Sequence, residues 1–211
     1  MSEGVKRRYD ATRRRQQAGD NQRRVLRAAC ALFVERGYGR TTMADVAEAA
    51  GLAVETVYAG FKNKPTLLHR AWDVTVGGDD EDLLVHERPE FRAVLDEPDL
   101  ATRLTAFAVA NTAVMRRTAP LHLAVQGAAA SDKAAAAMLA EIDRQRLEAM
   151  TVHARAAAAT GRLAVSEVEC RDLLWATTDG SLWNRLVHQR GWTDERYAER
   201  LGTLWISLLV A

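Results

Sequence analysis

The sequence predicts an all-α fold, and three observations support this class. Only four prolines occur in 211 residues. Ala and Leu recur at three- and four-residue spacing almost throughout, which is the spacing of one face of a helix. No alternating run of β-branched residues persists, so no strand is predicted. The apolar fraction of 48% is ordinary for a globular chain that is long enough to bury a core.

Charge is distributed unevenly along the chain. Residues 1–70 contain 14 Lys or Arg and 7 Asp or Glu, whereas residues 71–211 contain 15 Lys or Arg and 21 Asp or Glu. The net charge of +1 therefore hides a basic N-terminal third, which indicates a polyanionic partner for that part. A solvated charge run is the alternative for any one cluster. Nine basic residues precede position 28: Lys6, Arg7, Arg8, Arg13, Arg14, Arg15, Arg23, Arg24 and Arg27.

Four helices are predicted in the basic third. An apolar stripe over residues 25–33 marks the first, which we expect to open at Asp20 or Asn21 and to end at Gly37. Thr42 and Asp45 have capping-box spacing before a helix over residues 43–50, and Gly51 ends it. A third helix covers residues 54–60. A fourth begins at Lys64-Pro65 and continues to about residue 76.

The acidic stretch 77–90 is predicted to be a loop. Asp132 opens a long helix that is rich in alanine, and Ser166 with Glu169 forms a second capping box. The helices predicted after the loop cover residues 101–117, 121–130, 132–160, 166 to about 188, and 193 to the end. The whole chain therefore contains about nine helices.

Residues 42–61 have the spacing of a helix-turn-helix motif: a short helix, a turn around Gly51 and a second short helix. Six apolar residues are expected to pack the two helices together: Val46, Ala47, Ala50, Leu52, Val57 and Phe61. Five others are left on or near the outer side of the second helix: Val54, Glu55, Thr56, Tyr58 and Ala59. Because a recognition helix contacts base edges with its N-terminal residues, this surface is a candidate DNA reader.

The same segment resembles the DNA-binding domain of the TetR family of transcriptional repressors. The resemblance covers about residues 20–72. Its motifs occur in family order and spacing: Gly37-Tyr38, Thr41-Thr42, Val46-Ala47, Ala50-Gly51, Val57-Tyr58, and Phe61 followed by Lys62 and Lys64. It implies a basic N-terminal arm over residues 1–19, a DNA-binding domain over 20–64, and a helical ligand-binding and dimerisation domain over 65–211.

The resemblance also implies roles for single residues. Thr42, Tyr58 and Lys64 are expected to contact DNA phosphates, and Lys62 belongs to the same surface. The chain departs from the family at Ala53, where Ser is frequent, and at Gly60, where an aromatic residue or His is frequent.

Glu55 is unusual on a surface that faces DNA. A carboxylate is repelled by phosphates but accepts a hydrogen bond from the cytosine amino group. The alternative is a Glu that stabilises the first turn of its helix through the helix dipole. Both interpretations stay open from sequence.

The resemblance implies a homodimer, because a palindromic operator mirrors two-fold symmetry in the protein. Small residues repeat every four positions on the helix from residue 166, and the last helix carries an apolar stripe. The expected interface residues are Ala176, Gly180, Asn184, Leu201, Trp205 and Leu208.

A small-molecule effector would bind among the middle helices, where large or polar residues lie on otherwise apolar faces. The candidates are Trp72, Phe107, Asn111, Met115, His122, Gln126, Met138 and Trp175. Aromatic and methionine side chains with a few polar groups indicate a mostly apolar effector. Trp72 is on the helix that follows the helix-turn-helix motif, so a ligand pressing on that helix is expected to move the recognition helices apart.

Other classes of protein receive less support. Cys30 and Cys170 are expected to be buried free thiols, the five histidines lack metal-ligand spacing, and no cofactor or nucleophile motif occurs. No signal-peptide pattern and no apolar run of about 18 residues is present, so a cytoplasmic location is expected. The favoured interpretation is a ligand-responsive transcriptional regulator that acts as a repressor, rather than an enzyme. The alternatives are an all-α enzyme or small-molecule carrier with an incidental helix-turn-helix, or a DNA binder without an effector.

Overall fold

The computed structural model describes residues 3–78 and 89–211, apart from the side chains of residues 3–14 and of Glu90. The described residues form ten α-helices, which confirms the predicted all-α class with about nine helices. The chain divides into two compact units, Met1–Trp72 and Asp73–Ala211. None of the helices within the described ranges is long and apolar enough to cross a membrane.

The first unit contains α1 (Glu3–Arg36), α2 (Met43–Ala50), α3 (Val54–Phe61) and the first part of α4 (Lys64–Gly77). The expected opening of the first helix at Asp20 or Asn21 is wrong, because α1 is continuous from Glu3. The Asp20 carboxylate instead forms an ion pair with Arg23 one turn later, at 2.7 Å. The backbone of the predicted arm is therefore part of α1 from Glu3 onward.

The core of the first unit is formed where α1, α2, α3 and α4 meet. Five of the six residues expected to pack the helix-turn-helix are buried, and Leu52 is half-buried. The rings of Phe33 and Tyr38 lie 5.3 Å apart at the end of α1. The buried apolar residues of α1 and α4 are Val25, Leu26, Ala29, Leu32, Phe33, Leu67, Leu68, Ala71 and Trp72.

The second unit has α6 as its central helix, with α10 and α7 packed on it and α8 packed on α7. An isolated antiparallel bridge pairs Leu163 with Val210. The helices of the second unit are α5 (Pro89–Asp96), α6 (Leu100–Ala129), α7 (Lys133–Ala158), α8 (Glu167–Thr177), α9 (Ser181–Trp183) with a π-helical continuation over Asn184–Gln189, and α10 (Asp194–Leu209).

Two differences from the predicted helices concern α5 and α6. Helix α5 was not predicted, although Phe91 and Val94 have helical spacing and are both buried. The expected break near residue 120 is wrong, because α6 continues through Pro120. Ala119 and Leu121 on either side of this proline are buried, so packing offsets the hydrogen bond that Pro120 cannot donate. Most of the predicted loop, residues 79–88, lies outside the described residues.

The helix predicted from residue 166 to about 188 is interrupted after Thr177. The Thr178 hydroxyl donates to the carbonyl of Leu174, and Gly180 has a φ of +84°. A Cβ atom on Gly180 would lie 2.8 Å from the Cβ of Ala119, so this glycine permits both the turn and a close approach to α6. Ala176, Gly180 and Asn184 therefore do not share a face of one helix, and Gly180 is corrected from an interface residue to a residue packed inside its own chain.

Candidate nucleic-acid interface and effector region

The start of α2 is fixed by a reciprocal capping box, as predicted. Thr42 Oγ1 accepts a hydrogen bond from the Asp45 backbone N–H at 3.1 Å, and the Asp45 carboxylate accepts from the Thr42 backbone N–H at 2.7 Å. The same carboxylate also accepts a hydrogen bond from the Thr42 hydroxyl, with 2.7 Å between Oγ1 and Oδ2. These hydrogen bonds from Thr42 hold the pKa of Asp45 below its ordinary value. To donate to a phosphate, the exposed Thr42 hydroxyl must rotate away from Asp45.

The turn between α2 and α3 depends on a residue that sequence reasoning assigned only to the basic cluster. Gly51 ends α2 in the left-handed conformation, with a φ of +63°. The Arg24 guanidinium, from α1, donates to the carbonyl oxygens of Ala50 at 2.5 Å and Gly51 at 3.3 Å. A cation at the carboxyl end of a helix is favourable for the helix dipole. Arg24 therefore positions the turn that presents α3.

Helix α3 divides its side chains as the sequence predicts. Val57 and Phe61 are buried, whereas Tyr58 is 50% exposed. Four other residues of this helix are predicted to bind DNA. Val54 is half-buried, and Glu55, Thr56 and Ala59 are exposed. One face of α3 is thus held in the core while the opposite face is open to a partner.

The two departures from the family pattern have local consequences in α3. Ala53 occupies the N-cap position and makes no side-chain hydrogen bond there. Gly60 is exposed, and a Cβ built on it has no atom within 4 Å, so a larger side chain fits at this position. Lys62 follows α3 as an exposed residue with a φ of +59°.

Lys64 lies at the start of α4 and is half-buried. Its Nζ donates a hydrogen bond to the Tyr38 carbonyl oxygen at 3.1 Å and lies 4.3 Å from the centroid of the Tyr38 ring. An ammonium group has three donors, so one hydrogen bond leaves capacity for a phosphate. Lys64 therefore has a structural contact in addition to the predicted one.

In the second unit, part of the predicted effector set is buried. Phe107, Asn111 and Met115 lie on the inward face of α6, and His122 and Met138 are also buried. Burial is the main cause that lowers the pKa of His122, and the charge of Arg146 adds to it. These residues belong to the interior of one helical unit, as expected for an internal site.

Two members of the predicted effector set, Gln126 and Trp72, lie elsewhere, whereas Trp175 packs against the core that contains Phe107 and Met115. Gln126 is exposed, which corrects its assignment to an apolar interior. Trp72 is buried and belongs to the first unit. Trp175 is half-buried, with its indole N–H donating to the Asp143 carbonyl at 3.3 Å and the Arg146 guanidinium 5.0 Å from its ring.

Sequence reasoning missed the residues that reach this interior from other helices. The His153 ring, from α7, stacks on Phe107 at 3.9 Å between ring centroids, and the Trp205 ring stacks on the same phenyl group at 5.1 Å. Tyr197, from α10, is also buried, and burial together with the charge of Asp179 raises the pKa of its phenol. The sequence places Trp205 at the predicted dimer interface and gives His153 no role, because no local pattern indicates which side chains a residue meets on another helix.

The expected dimer residues on the last helix divide between two faces. Leu201 and Trp205 are buried in the core of their own chain, so their assignment to an interface is corrected. Leu208 is 42% exposed, and Leu204 one turn earlier is 39% exposed. Ala176 is exposed and Asn184 is half-buried.

Comparison with known proteins gives a family match for the first unit. Residues 25–71 match the model of bacterial regulatory proteins of the tetR family. Over 61 residues the chain is 36% identical to the HTH-type transcriptional regulator TtgR of Pseudomonas putida. That match covers 29% of this chain and 29% of the length of TtgR.

Solved structures are similar over most of the chain. The transcriptional regulator FadR of Bacillus subtilis, in complex with stearoyl-CoA, superposes with a TM-score of 0.68 at 16% identity and covers 87% of this chain and 97% of its own. NalD of Pseudomonas aeruginosa, the secondary repressor of the MexAB-OprM multidrug efflux pump, has a TM-score of 0.67 at 19% identity. The match covers 92% of this chain and 98% of NalD. At these identities the similarity shows a shared fold.

Proposed function

We propose that this chain, which belongs to the TetR family of bacterial regulatory proteins, is a ligand-responsive transcriptional regulator that represses a palindromic operator as a homodimer. A small, mostly apolar effector releases it from DNA. The observation that carries the proposal is the division of α3, in which Val57 and Phe61 anchor the helix while Tyr58 and its neighbours face outward. Such a helix at the exposed side of a helix-turn-helix is built to enter a major groove.

The DNA-binding residues of the proposal fall into two groups, both within residues 20–64. Val54, Glu55, Thr56 and Ala59 are on the part of α3 that would meet base edges. The groups that would hold phosphates are the hydroxyls of Thr42 and Tyr58 and the ammonium groups of Lys62 and Lys64. The positive charge of the first 70 residues supports this assignment, since phosphate neutralisation provides most of the affinity for DNA.

Residues 65–211 form the effector and dimerisation domain of the proposal. The buried candidates Phe107, Asn111, Met115, His122 and Met138 support an internal site, and FadR of Bacillus subtilis binds stearoyl-CoA on a similar fold. An effector that weakens DNA binding must itself bind less tightly when DNA is present, by the same factor.

The homodimer is proposed on the outer face of α10. Leu204 and Leu208 are one turn apart and exposed, while Leu201 and Trp205 on the other face fill the core. Exposed leucines at this spacing support helix-to-helix pairing between two copies. Replacing both with lysine should give a monomer by sedimentation. Leu147→Lys, at a leucine of similar exposure on α7, is the control.

The test of DNA binding is selection of duplexes from a random pool by the full chain. We expect an inverted repeat whose half-site centres are about 34–36 Å apart, or a multiple of that distance, bound with an affinity that falls steeply with salt. Enrichment of no sequence would overturn the regulator assignment. Enrichment of a single half-site bound by one chain would overturn the dimer.

A further inference from the structure

Three buried side-chain atoms of the described residues have no hydrogen-bond partner: Asn111 Nδ2, Tyr197 Oη and Arg146 Nε. All three carry N–H or O–H hydrogens, so each lacks an acceptor. Arg146 is otherwise engaged, because it forms an ion pair with Asp143 at 3.0 Å and donates to the Trp175 carbonyl at 2.7 Å. Asn111 and Tyr197 are therefore the pair to explain.

The packing of α6 against α10 places Asn111 and Tyr197 at the same level. A Cβ on Gly202 would lie 3.4 Å from the Cα of Thr105, and Arg116 forms an ion pair with Asp194 at 3.5 Å. The two helices are therefore antiparallel, and Tyr197 falls opposite the turn that begins at Asn111. Both side chains point inward, with exposures of 5% for Asn111 and 2% for Tyr197.

The surroundings of this pair are aromatic and apolar. Phe107, one turn before Asn111, is stacked between the rings of His153 and Trp205. Met115, one turn after it, has its sulfur 3.6 Å from the position of a Cβ on Gly180. Buried donors in an apolar environment need an acceptor, because they have lost their hydrogen bonds to water.

We propose that the Asn111 amide and the Tyr197 hydroxyl together hold one neutral carbonyl oxygen of an aromatic effector. This assignment rests on the proposed function of an effector site in the second unit. It names the chemistry of the effector: an aromatic body that packs against the Phe107 stack and a carbonyl group that accepts from both donors.

Charge favours a neutral carbonyl over a carboxylate. The carboxylate of Asp179 interacts with Tyr197 and would repel an anion. This carboxylate accepts hydrogen bonds from the backbone N–H and the hydroxyl of Ser181, both at 2.8 Å. The positive charge of Arg146 is already paired with Asp143. The two donors themselves, an amide and a phenol, are neutral groups.

The experiment compares three probes of the same diaryl shape on the full chain by calorimetry: benzophenone, diphenylmethane and diphenylacetate. We expect benzophenone to bind about tenfold more tightly than the hydrocarbon and than the carboxylate, since one good hydrogen-bonded group is commonly worth that factor. Tyr197→Phe and Asn111→Leu should each lower benzophenone affinity toward the level of diphenylmethane, because each removes one of the two donors, and should leave diphenylmethane affinity unchanged.

Thr112→Val is the matched control, because the neighbouring buried hydroxyl of Thr112 is already bonded to the Ala108 carbonyl at 2.6 Å. It should leave the ratio of affinities unchanged. Equal affinity for ketone and hydrocarbon, tighter binding of the carboxylate, or binding of none of the three probes would overturn the assignment. Operator binding measured on the same samples separates this failure from failure of the proposed function.

The unliganded variants give a second readout. Removing a donor that has no partner should not lower the melting temperature, so Tyr197→Phe should unfold at or above the temperature of the wild-type chain. A clear drop in Tyr197→Phe would show that the hydroxyl is already satisfied, which would also overturn the assignment.

Discussion

Lys64 holds the start of α4 against Tyr38, with its ammonium group over the tyrosine ring and hydrogen-bonded to the tyrosine carbonyl. Lys64, which is predicted to contact a phosphate, thus also forms a contact within the first unit. If Lys64 binds a phosphate as proposed, its ammonium group is already held in place by Tyr38, which reduces the entropy lost on binding.

Lys64→Ala should therefore lower both stability and DNA affinity. The free energy of unfolding should fall by about 1 kcal/mol, from the cation–π contact and the hydrogen bond. Affinity should fall alike on all DNA sequences, with a shallower dependence on salt. Chemical denaturation and anisotropy titrations at several salt concentrations measure the two effects.

Lys62→Ala is the matched control for Lys64→Ala, because Lys62 is exposed. It should weaken DNA binding in the same way without the loss of the contact to Tyr38. If Lys64→Ala changed base preference while the affinity stayed intact, the phosphate assignment would be wrong.

Glu55→Gln should raise affinity for non-specific DNA, because it removes a negative charge from an exposed position in the first turn of α3. The selected base sequence separates the two interpretations of this residue. A changed preference at one position indicates that the carboxylate reads a cytosine, whereas an unchanged preference indicates a role in the helix dipole. Unchanged or weaker non-specific binding would contradict the exposed placement of Glu55 on the DNA side.

Local signals predicted most of the first unit correctly. The Thr42–Asp45 capping box, the left-handed Gly51 and the division of α3 depend on residues within a few positions of one another. Asp132 and Ser166 likewise cap α7 and α8 through their side chains, and the Ser166 hydroxyl accepts a hydrogen bond from the Glu169 backbone N–H, which is one half of the predicted capping box. Such features are visible in a sequence because the side chain and the backbone group that it satisfies are close along the chain.

The parts that could not be predicted depend on contacts between distant residues. Arg24 reaches α2 from a position 26 residues earlier, and the turn at Gly180 is matched to Ala119 on another helix. The spacing of Phe107, Asn111 and Met115 predicted one face of the site, but the opposing His153 and Tyr197 come from α7 and α10. Helical periodicity indicates that a residue is buried and does not indicate what it meets.

Gly180→Ala should destabilise the fold strongly. The new Cβ would meet the Ala119 side chain at 2.8 Å, and a φ of +84° is unfavourable for alanine. Gly191→Ala is the control, because Gly191 has a φ of +70° but open space around it. Overpacking costs about 1–3 kcal/mol, so Gly180→Ala should lose that much more stability than Gly191→Ala in urea denaturation. Equal losses would mean that Ala119 moves aside freely.

His122 should make the second unit sensitive to acid. Burial lowers the pKa of His122 in the folded chain, so the unfolded chain binds a proton first as the pH falls. The stability contribution is therefore fully present above the ordinary histidine value of about 6.5 and is lost as the pH drops from there toward the lower folded value. The neighbouring charges of Asp143 and Asp179 oppose the shift, and that of Arg146 reinforces it.

Replacing His122 with glutamine removes this titration. The difference in unfolding free energy between wild type and His122→Gln should grow in favour of the variant as the pH falls from about 7 to about 5, with a slope of at most about 1.4 kcal/mol per pH unit. His188→Gln, at an exposed histidine on the π-helical segment, is the control for the substitution itself. Urea titrations across this pH range measure the slopes. Parallel profiles for wild type and His122→Gln would show that His122 is protonated as easily in the folded chain as in the unfolded one.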